Sequence, residues 1–203
     1  LADYSAVIAD NNATMEAIRD YIKENKIDKS GRTVVATEPF TSANKYSKVS
    51  FLEGDYMLGA PEFVMKDEYD SISEEIETYQ KKGYRVLLLA ERNSAKQEKK
   101  NTDKVAYKNF GTVTPVGYIV LSNPIRENAV STFRYFKEQG VAIKVISGDN
   151  PATVSEVARR AGIDGAENYV DASTLESQDD ISEAVDKYTV FGRVTPKQKQ
   201  LIV

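Results

Sequence analysis

The stretch Val145-Ile146-Ser147-Gly148-Asp149-Asn150 sets a hydroxyl, a glycine and a carboxylate between an apolar run and a helix start. Strand ends of this kind are where α/β sheets hold ligands. Free N–H groups and the helix dipole there favour an anion such as phosphate. A helix cap with no ligand explains the same residues, with Asn150 or Asp149 as the cap and Pro151 at the first helical position. About fifty residues on, Phe191-Gly192-Arg193-Val194-Thr195-Pro196-Lys197-Gln198-Lys199 again ends an apolar run and starts a helix. In a parallel sheet both strand ends face one edge. Ser147 and Lys199 could then converge on one phosphate, the hydroxyl donating and the ammonium neutralising charge. Taken alone, Lys199 reads as a surface lysine.

Composition narrows the chemistry. The 203 residues include no Cys, no His and no Trp, and 41% are apolar. Without Cys there is no disulfide framework, thiol nucleophile or Cys-based zinc site. Without His there is no Ser–His–Asp triad and no imidazole ligand. Carboxylates, hydroxyls, Lys and Arg must do any work, and no metal site is expected in the chain. The net charge of −4 argues against a general nucleic-acid binder. No run approaches roughly 18 consecutive apolar residues. Leu1-Ala2-Asp3-Tyr4 lacks the basic, apolar start of a signal peptide. The expectation is a soluble, intracellular protein.

Elements follow from periodicity. Met15, Ile18 and Ile22 predict a helix opened by Asn12 or Thr14 and ended by Lys23-Glu24-Asn25-Lys26. Thr33 to Thr37 reads as a strand, and Val49 to Leu58 as two strands around Glu53-Gly54-Asp55. Ile72, Ile76 and Tyr79 mark a helix stopping at Gly83, before a buried strand at Arg85 to Ala90. Ser94 to Asn109 is lysine-rich; a solvated hairpin loop is preferred to a phosphate-binding patch, because Tyr107 is its lone aromatic. From Gly117 strand and helix alternate: strand Tyr118–Leu121, a helix with Ala129, Val130, Phe133 and Phe136 on one face, and strand Ala142–Ile146. Then come a helix with the stripe Val154, Val157, Ala158 and Ala161, a helix at Asp179–Lys187, strand Thr189–Phe191 and a helix from Thr195. That alternation predicts a parallel Rossmann-type sheet. A domain boundary is placed near Gly117 to Leu121.

Ser147 to Ile163 and Val190 to Lys199 together resemble the phosphorylation domain of P-type cation-transporting ATPases, a haloacid-dehalogenase-like fold with Thr-Gly-Asp-Asn and Arg-Val-x-Pro-x-x-Lys segments. The upstream half resembles their nucleotide-binding domain. Pro39-Phe40-Thr41-Ser42-Ala43-Asn44-Lys45, Leu58-Gly59-Ala60-Pro61-Glu62 and Gly83-Tyr84-Arg85-Val86-Leu87 match in the family's order. The resemblance implies an α/β protein: an α+β nucleotide-binding domain over 1–120 joined to a truncated Rossmannoid parallel sheet over 121–203. Phe40 would stack adenine, with Lys45 lining the pocket. Gly59 and Ala60 would let the backbone approach the nucleotide, and Arg85 and Arg193 would approach it too. Ser147, Gly148 and Asp149 would hold the γ-phosphate, Lys199 would neutralise it, and Arg126 would lie in the interdomain hinge. Each has a plainer reading beside it: a core phenylalanine, a solvated lysine, a post-strand turn, a structural salt bridge.

The departures are as informative. The Asp-Lys-Thr-Gly-Thr string, whose Asp is phosphorylated, is missing, and Asp28-Lys29-Ser30-Gly31 imitates it after a charged helix end instead of a buried strand. The Mg²⁺-carrying Gly-Asp-Gly-x-Asn-Asp is missing too, and is expected beyond Val203. Leu58 stands for a Lys, Ser42 for an Arg, Asn123 for the hinge Asp, and Met15 for an acidic residue. The resemblance implies an ATP-binding fragment of a membrane pump, on its cytoplasmic side. The full protein would form an aspartyl-phosphate with ATP and Mg²⁺, on an Asp upstream of Leu1. Its partners would be the membrane helices and actuator domain of the pump, and the fragment alone would be inactive. The alternatives are a non-catalytic adenine-nucleotide sensor and a soluble haloacid-dehalogenase-type phosphatase with an inserted cap.

Overall fold

The computed structural model describes residues 1–92 and 112–203; the lysine-rich run from Ser94 to Asn109 lies outside them. The chain divides into two compact units, Leu1–Ser71 with Leu87–Ile119, and Ile72–Val86 with Val120–Val203.

In the first unit, α1 (Ala2–Val7) precedes α2 (Ala13–Glu24), which Asn12 caps by accepting the Met15 N–H at 3.0 Å. Met15 and Ile18 bury one face of α2, as their spacing predicts. Five strands follow in the order β1 (Val34–Glu38), β2 (Tyr46–Phe51), β3 (Gly54–Gly59), β4 (Arg85–Arg92) and β5 (Val113–Leu121), each beside its sequence neighbour; Arg85 and Val86 at the start of β4 and Val120 and Leu121 at the end of β5 belong to the second unit. The first four pair antiparallel. Side chains alternate between faces of a strand, so Ser47, Val49 and Phe51 of β2 point into the core. Tyr4 of α1 is 2% exposed and shares a hydrogen bond of 2.9 Å with Ser47 Oγ. Burial pushes the Tyr4 phenol well up. Leu87 to Ala90 of β4 are all buried, whereas β1 is exposed along its length. Helix α3 (Pro61–Met65) leaves β3 directly, with Pro61 at its first turn. Asp28 to Gly31 is exposed and irregular, and the Ser30 and Gly31 N–H groups donate to Asp3 at 2.9 and 3.0 Å. It is a tethered turn, not the end of a buried strand.

The second unit holds most of α4 (Asp70–Gln80), then α5 (Ala129–Glu138), β6 (Val145–Ile146), α6 (Pro151–Arg160), β7 (Tyr169–Asp171), α7 (Gln178–Lys187), β8 (Val190–Gly192) and α8 (Pro196–Ile202). Its three strands are parallel in the order β6-β8-β7, in keeping with the α/β reading. Successive β8 side chains enter different clusters. Val190 packs with Val154, Ala158, Ile163 and Ala166. Phe191 packs with Ala172, Ala184 and Val194.

Four expectations change. The strand read at Tyr118–Leu121, expected to head the parallel sheet, is the end of Val113–Leu121 and lies at the edge of the five-stranded sheet. The strand read at Ala142–Ile146 is only Val145–Ile146. Strand β7, too short to show periodicity, supplies the third member of the sheet. Helix α5 forms where predicted but has no buried residue; Val130 and Phe136 are 40% and 38% exposed, and Phe133 alone packs partly on the Val154 cluster. Periodicity identifies which residues share a face, not what covers it.

Candidate functional site

The two sequence segments of chemical interest meet at the carboxyl ends of β6 and β8. Parallel pairing sets Ile146 beside Phe191. From there the Ser147 N–H donates to the Phe191 carbonyl at 2.9 Å, and the Val194 N–H to the Ser147 carbonyl at 3.0 Å. The Arg193 N–H donates to the Asp149 carbonyl at 2.8 Å. Ser147 Oγ accepts the Asp149 N–H at 3.1 Å, which closes a tight turn and leaves the hydroxyl hydrogen able to donate outward. Gly148 is exposed at its tip.

Asn150 caps α6, accepting N–H groups of Ala152 at 2.9 Å and Thr153 at 3.4 Å. Asp149 is therefore not the cap. Its carboxylate instead faces Arg85 Nε at 3.4 Å, with both side chains about two-fifths exposed. The turn thus joins a serine hydroxyl, backbone dipoles of α6 and an arginine–carboxylate pair. That combination suits a phosphate-bearing ligand, with Arg85 supplying the compensating charge.

Gly192 explains how the helix comes so near. A Cβ on Gly192 would overlap the Pro151 ring and backbone, so only glycine lets the first turn of α6 lie on the end of β8. Gly148 meets no such limit, since a Cβ there would sit 3.7 Å from the Val194 carbonyl. Beside the turn a cavity of about 490 Å³ is lined by Arg85, Asn123, Phe133, Ser147, Asp149 and Val154, among others.

The arginine and lysine of the second segment part ways. Arg193 has a left-handed backbone, φ 52°, and its Nη1 donates to Asp171 Oδ2 at 2.6 Å. Sequence reading missed Asp171, although an Asp two residues before a Ser is a local turn signal; here Asp171 Oδ1 accepts from Ser173 N and Oγ. Burial pushes the Asp171 carboxyl up, but the Ser173 donors and the Arg193 cation outweigh it and hold the group below the usual carboxylate range. Lys199 is exposed on α8, a helix opened by the reciprocal Thr195–Gln198 cap. Its side chain makes no hydrogen bond or ion pair with the Ser147 turn among the described residues.

The candidates of the first unit also cluster locally. Tyr46 pairs with Gly59, and the Ala60 N–H donates to the Lys45 carbonyl at 3.0 Å. A Cβ on Gly59 would overlap the Lys45 carbonyl and Tyr46, so this glycine is needed by the crossing of its own chain. Lys45 is left-handed, φ 59°, and closes a turn through its N–H to the Thr41 carbonyl at 2.8 Å. Just before that turn Phe40 is 42% exposed, its N–H donating to the Asp10 carboxylate. An exposed ring can stack a base where a core ring cannot. Leu58 and Met15, two of the departures, are both buried core residues. Arg126 is exposed in the segment before α5.

Among the described residues no group of three or more Asp, Glu, His or Cys could hold a metal ion. The Mg²⁺ that the resemblance implies therefore has no such ligand set among the described residues. Nor is any described helix long and apolar enough to cross a membrane.

A model of haloacid dehalogenase-like hydrolases matches residues 6–203, and the chain belongs to that family. The curated relatives narrow the resemblance. The calcium-transporting ATPase CtpE of Mycobacterium tuberculosis is 38% identical over 205 residues, covering 100% of this chain and 24% of the relative. The probable cation-transporting ATPase exp7 of Streptococcus pneumoniae is 34% identical over the same shares. The magnesium-transporting ATPase, P-type 1, of Salmonella typhimurium is 30% identical over 63% of this chain and 14% of its own length. The resemblance to P-type cation-transporting ATPases is borne out by these matches. The chain spans about a quarter of the length of the first two.

Proposed function

We propose that this chain is the ATP-binding portion of a P-type cation-transporting ATPase, residues 1–120 forming the nucleotide-binding domain and 121–203 part of the phosphorylation domain. The observation that carries the reading is the joining of Ser147-Gly148-Asp149 to Phe191-Gly192-Arg193-Val194 through three backbone hydrogen bonds, in a chain whose relatives are named as cation-transporting ATPases. In this reading the exposed Phe40 ring stacks adenine, with Lys45, Gly59 and Ala60 beside it. The Ser147 hydroxyl receives the terminal phosphate in the positive field at the start of α6, whose own first N–H groups Asn150 already holds. Arg85, Arg193 and Lys199 supply positive charge.

In the intact pump the γ-phosphoryl group would pass from ATP to an aspartate carboxylate, the bond to the β-phosphate breaking and ADP leaving; no Asp-Lys-Thr-Gly-Thr string occurs among the 203 residues. The remaining partners are the membrane helices and actuator domain, with this portion on the cytoplasmic side. Alone, the chain binds ATP without hydrolysing it at a meaningful rate.

Titration of the full chain with ATP, followed by amide NMR, tests the reading. Shifts are expected at Phe40, Lys45, Gly59 and Ala60, and at Ser147 to Asp149. No shifts at millimolar ATP, or shifts confined to the lysine-rich run Ser94–Asn109, would refute it.

A further inference from the structure

Arg193 is held at three strand ends at once. It follows β8 directly, its N–H donates to the carbonyl of Asp149 beyond β6, and its Nη1 donates to Asp171, the last residue of β7. Its left-handed φ of 52° is uncommon for a residue with a Cβ, and such a conformation persists where neighbours fix it. Asp171 is fixed in turn. Its other oxygen accepts the Ser173 N–H at 3.0 Å and hydroxyl at 2.6 Å. Both partners of the ion pair are only about a quarter exposed, at 28% and 24%. A flexible arginine is thus drawn onto a carboxylate that its own turn has already oriented.

We propose that Asp171 is a positioning residue for anion binding at the Ser147–Asp149 turn, acting through Arg193. A long side chain that must be ordered on binding weakens the complex, and one ordered beforehand does not. The Asp171 carboxylate orders the guanidinium at the carboxyl edge of the sheet, on the β7 side of β8, one strand away from the Ser147 turn on β6. The same negative charge lowers the potential that an anion meets, so orientation and charge act in opposite directions. Asparagine at 171 separates them, because its carbonyl oxygen still accepts from Nη1 while the charge is gone. The inference rests on the nucleotide reading above.

The test is calorimetric titration of the full chain with ATP, comparing wild type, R193A, D171A, D171N and the double variant R193A/D171A. R193A, which removes a charged donor, should weaken affinity about tenfold or more, and D171A, which only frees that donor, by roughly two- to tenfold. D171N should bind within about twofold of wild type, or tighter. The double variant should bind no more weakly than R193A, whereas a merely structural aspartate would weaken binding in that background too. If alanine at 171 does not fold, Asp171→Ser, too short to reach the guanidinium, takes its place with the same expectation. Wild-type affinity in D171A, tighter binding in D171A, unchanged affinity in R193A, or a further loss in the double variant would each overturn the proposal while leaving the nucleotide reading standing. A wild type that binds no ATP overturns both.

Discussion

Gly192 and Pro151 touch so closely that a single methyl group on Gly192 would occupy the space of the Pro151 ring and backbone. The contact seats the first turn of α6 on the end of β8. Gly192→Ala must push the helix off the sheet, and overpacking of this kind costs about 1–3 kcal/mol. The expected signature is a lower denaturant midpoint and faster exchange of the Ser147 amide, whose hydrogen bond to the Phe191 carbonyl spans the two strand ends. Gly148→Ala meets only an ordinary contact and should stay within about 0.5 kcal/mol of wild type. Equal stability of the two variants would contradict the packing argument.

Gly59 offers a comparison in the other unit. Its missing side chain is filled by the Lys45 carbonyl and Tyr46, so Gly59→Ala should cost about 1–3 kcal/mol with no nucleotide present. Gly117→Ala, with nothing within 4 Å of the new methyl, serves as the control and should lose far less. Thermal unfolding of the ligand-free variants decides the matter. A Gly59→Ala chain of wild-type stability that bound ATP poorly would mean that the glycine serves the ligand and not the β2–β3 crossing.

Local signals were readable wherever one residue settles one geometry. Asn12 and Asn150 each cap the helix that they precede, and Pro151 and Pro196 each occupy a first helical turn. The stripe of α6 lies largely where spacing predicts, with Val154, Ala158 and Ala161 buried and Val157 half-buried, whereas β2 begins at Tyr46, three residues before the strand read from Val49. Short elements escaped, because α1 and β7 are too brief to display a period. The β6 strand was read too long since Ala142 and Ile143 are apolar, yet only Val145 and Ile146 find the β8 backbone. Nonlocal pairs were illegible in principle. Nothing in the sequence couples Arg193 to an aspartate twenty-two positions earlier, or Arg85 to Asp149. The segments that form the turn could be named from sequence; the charges that surround it could not.

Asn150 carries a prediction that separates cap from ligand site. Replacing a capping asparagine by alanine costs about 1 kcal/mol, while aspartate retains the acceptor. Asn150→Ala should therefore lower the stability of the second unit by about that amount, and Asn150→Asp should restore it. Added negative charge beside the turn should at the same time weaken ATP binding in Asn150→Asp. Calorimetric titration alongside thermal unfolding reads both effects. Parallel loss of stability and affinity in the aspartate variant would show that the cap alone governs the turn.

Acid should loosen the second unit through Asp171. Its carboxyl is held below the usual aspartate value of about 3.9, so the unfolded chain binds the proton more readily than the folded one. Stability from this group is complete above the unfolded value and is lost as the pH falls through the lower folded value. Urea midpoints measured from pH 6 downward should therefore hold steady until about pH 5 and then decline. D171N has no proton to gain at this site, and its decline should be shallower than that of wild type. Asp3 and Asp180 are also held low by backbone and hydroxyl donors, so a residual slope is expected in the variant. Identical acid profiles for wild type and D171N would mean that the Arg193–Asp171 pair contributes nothing to folding that protonation can remove.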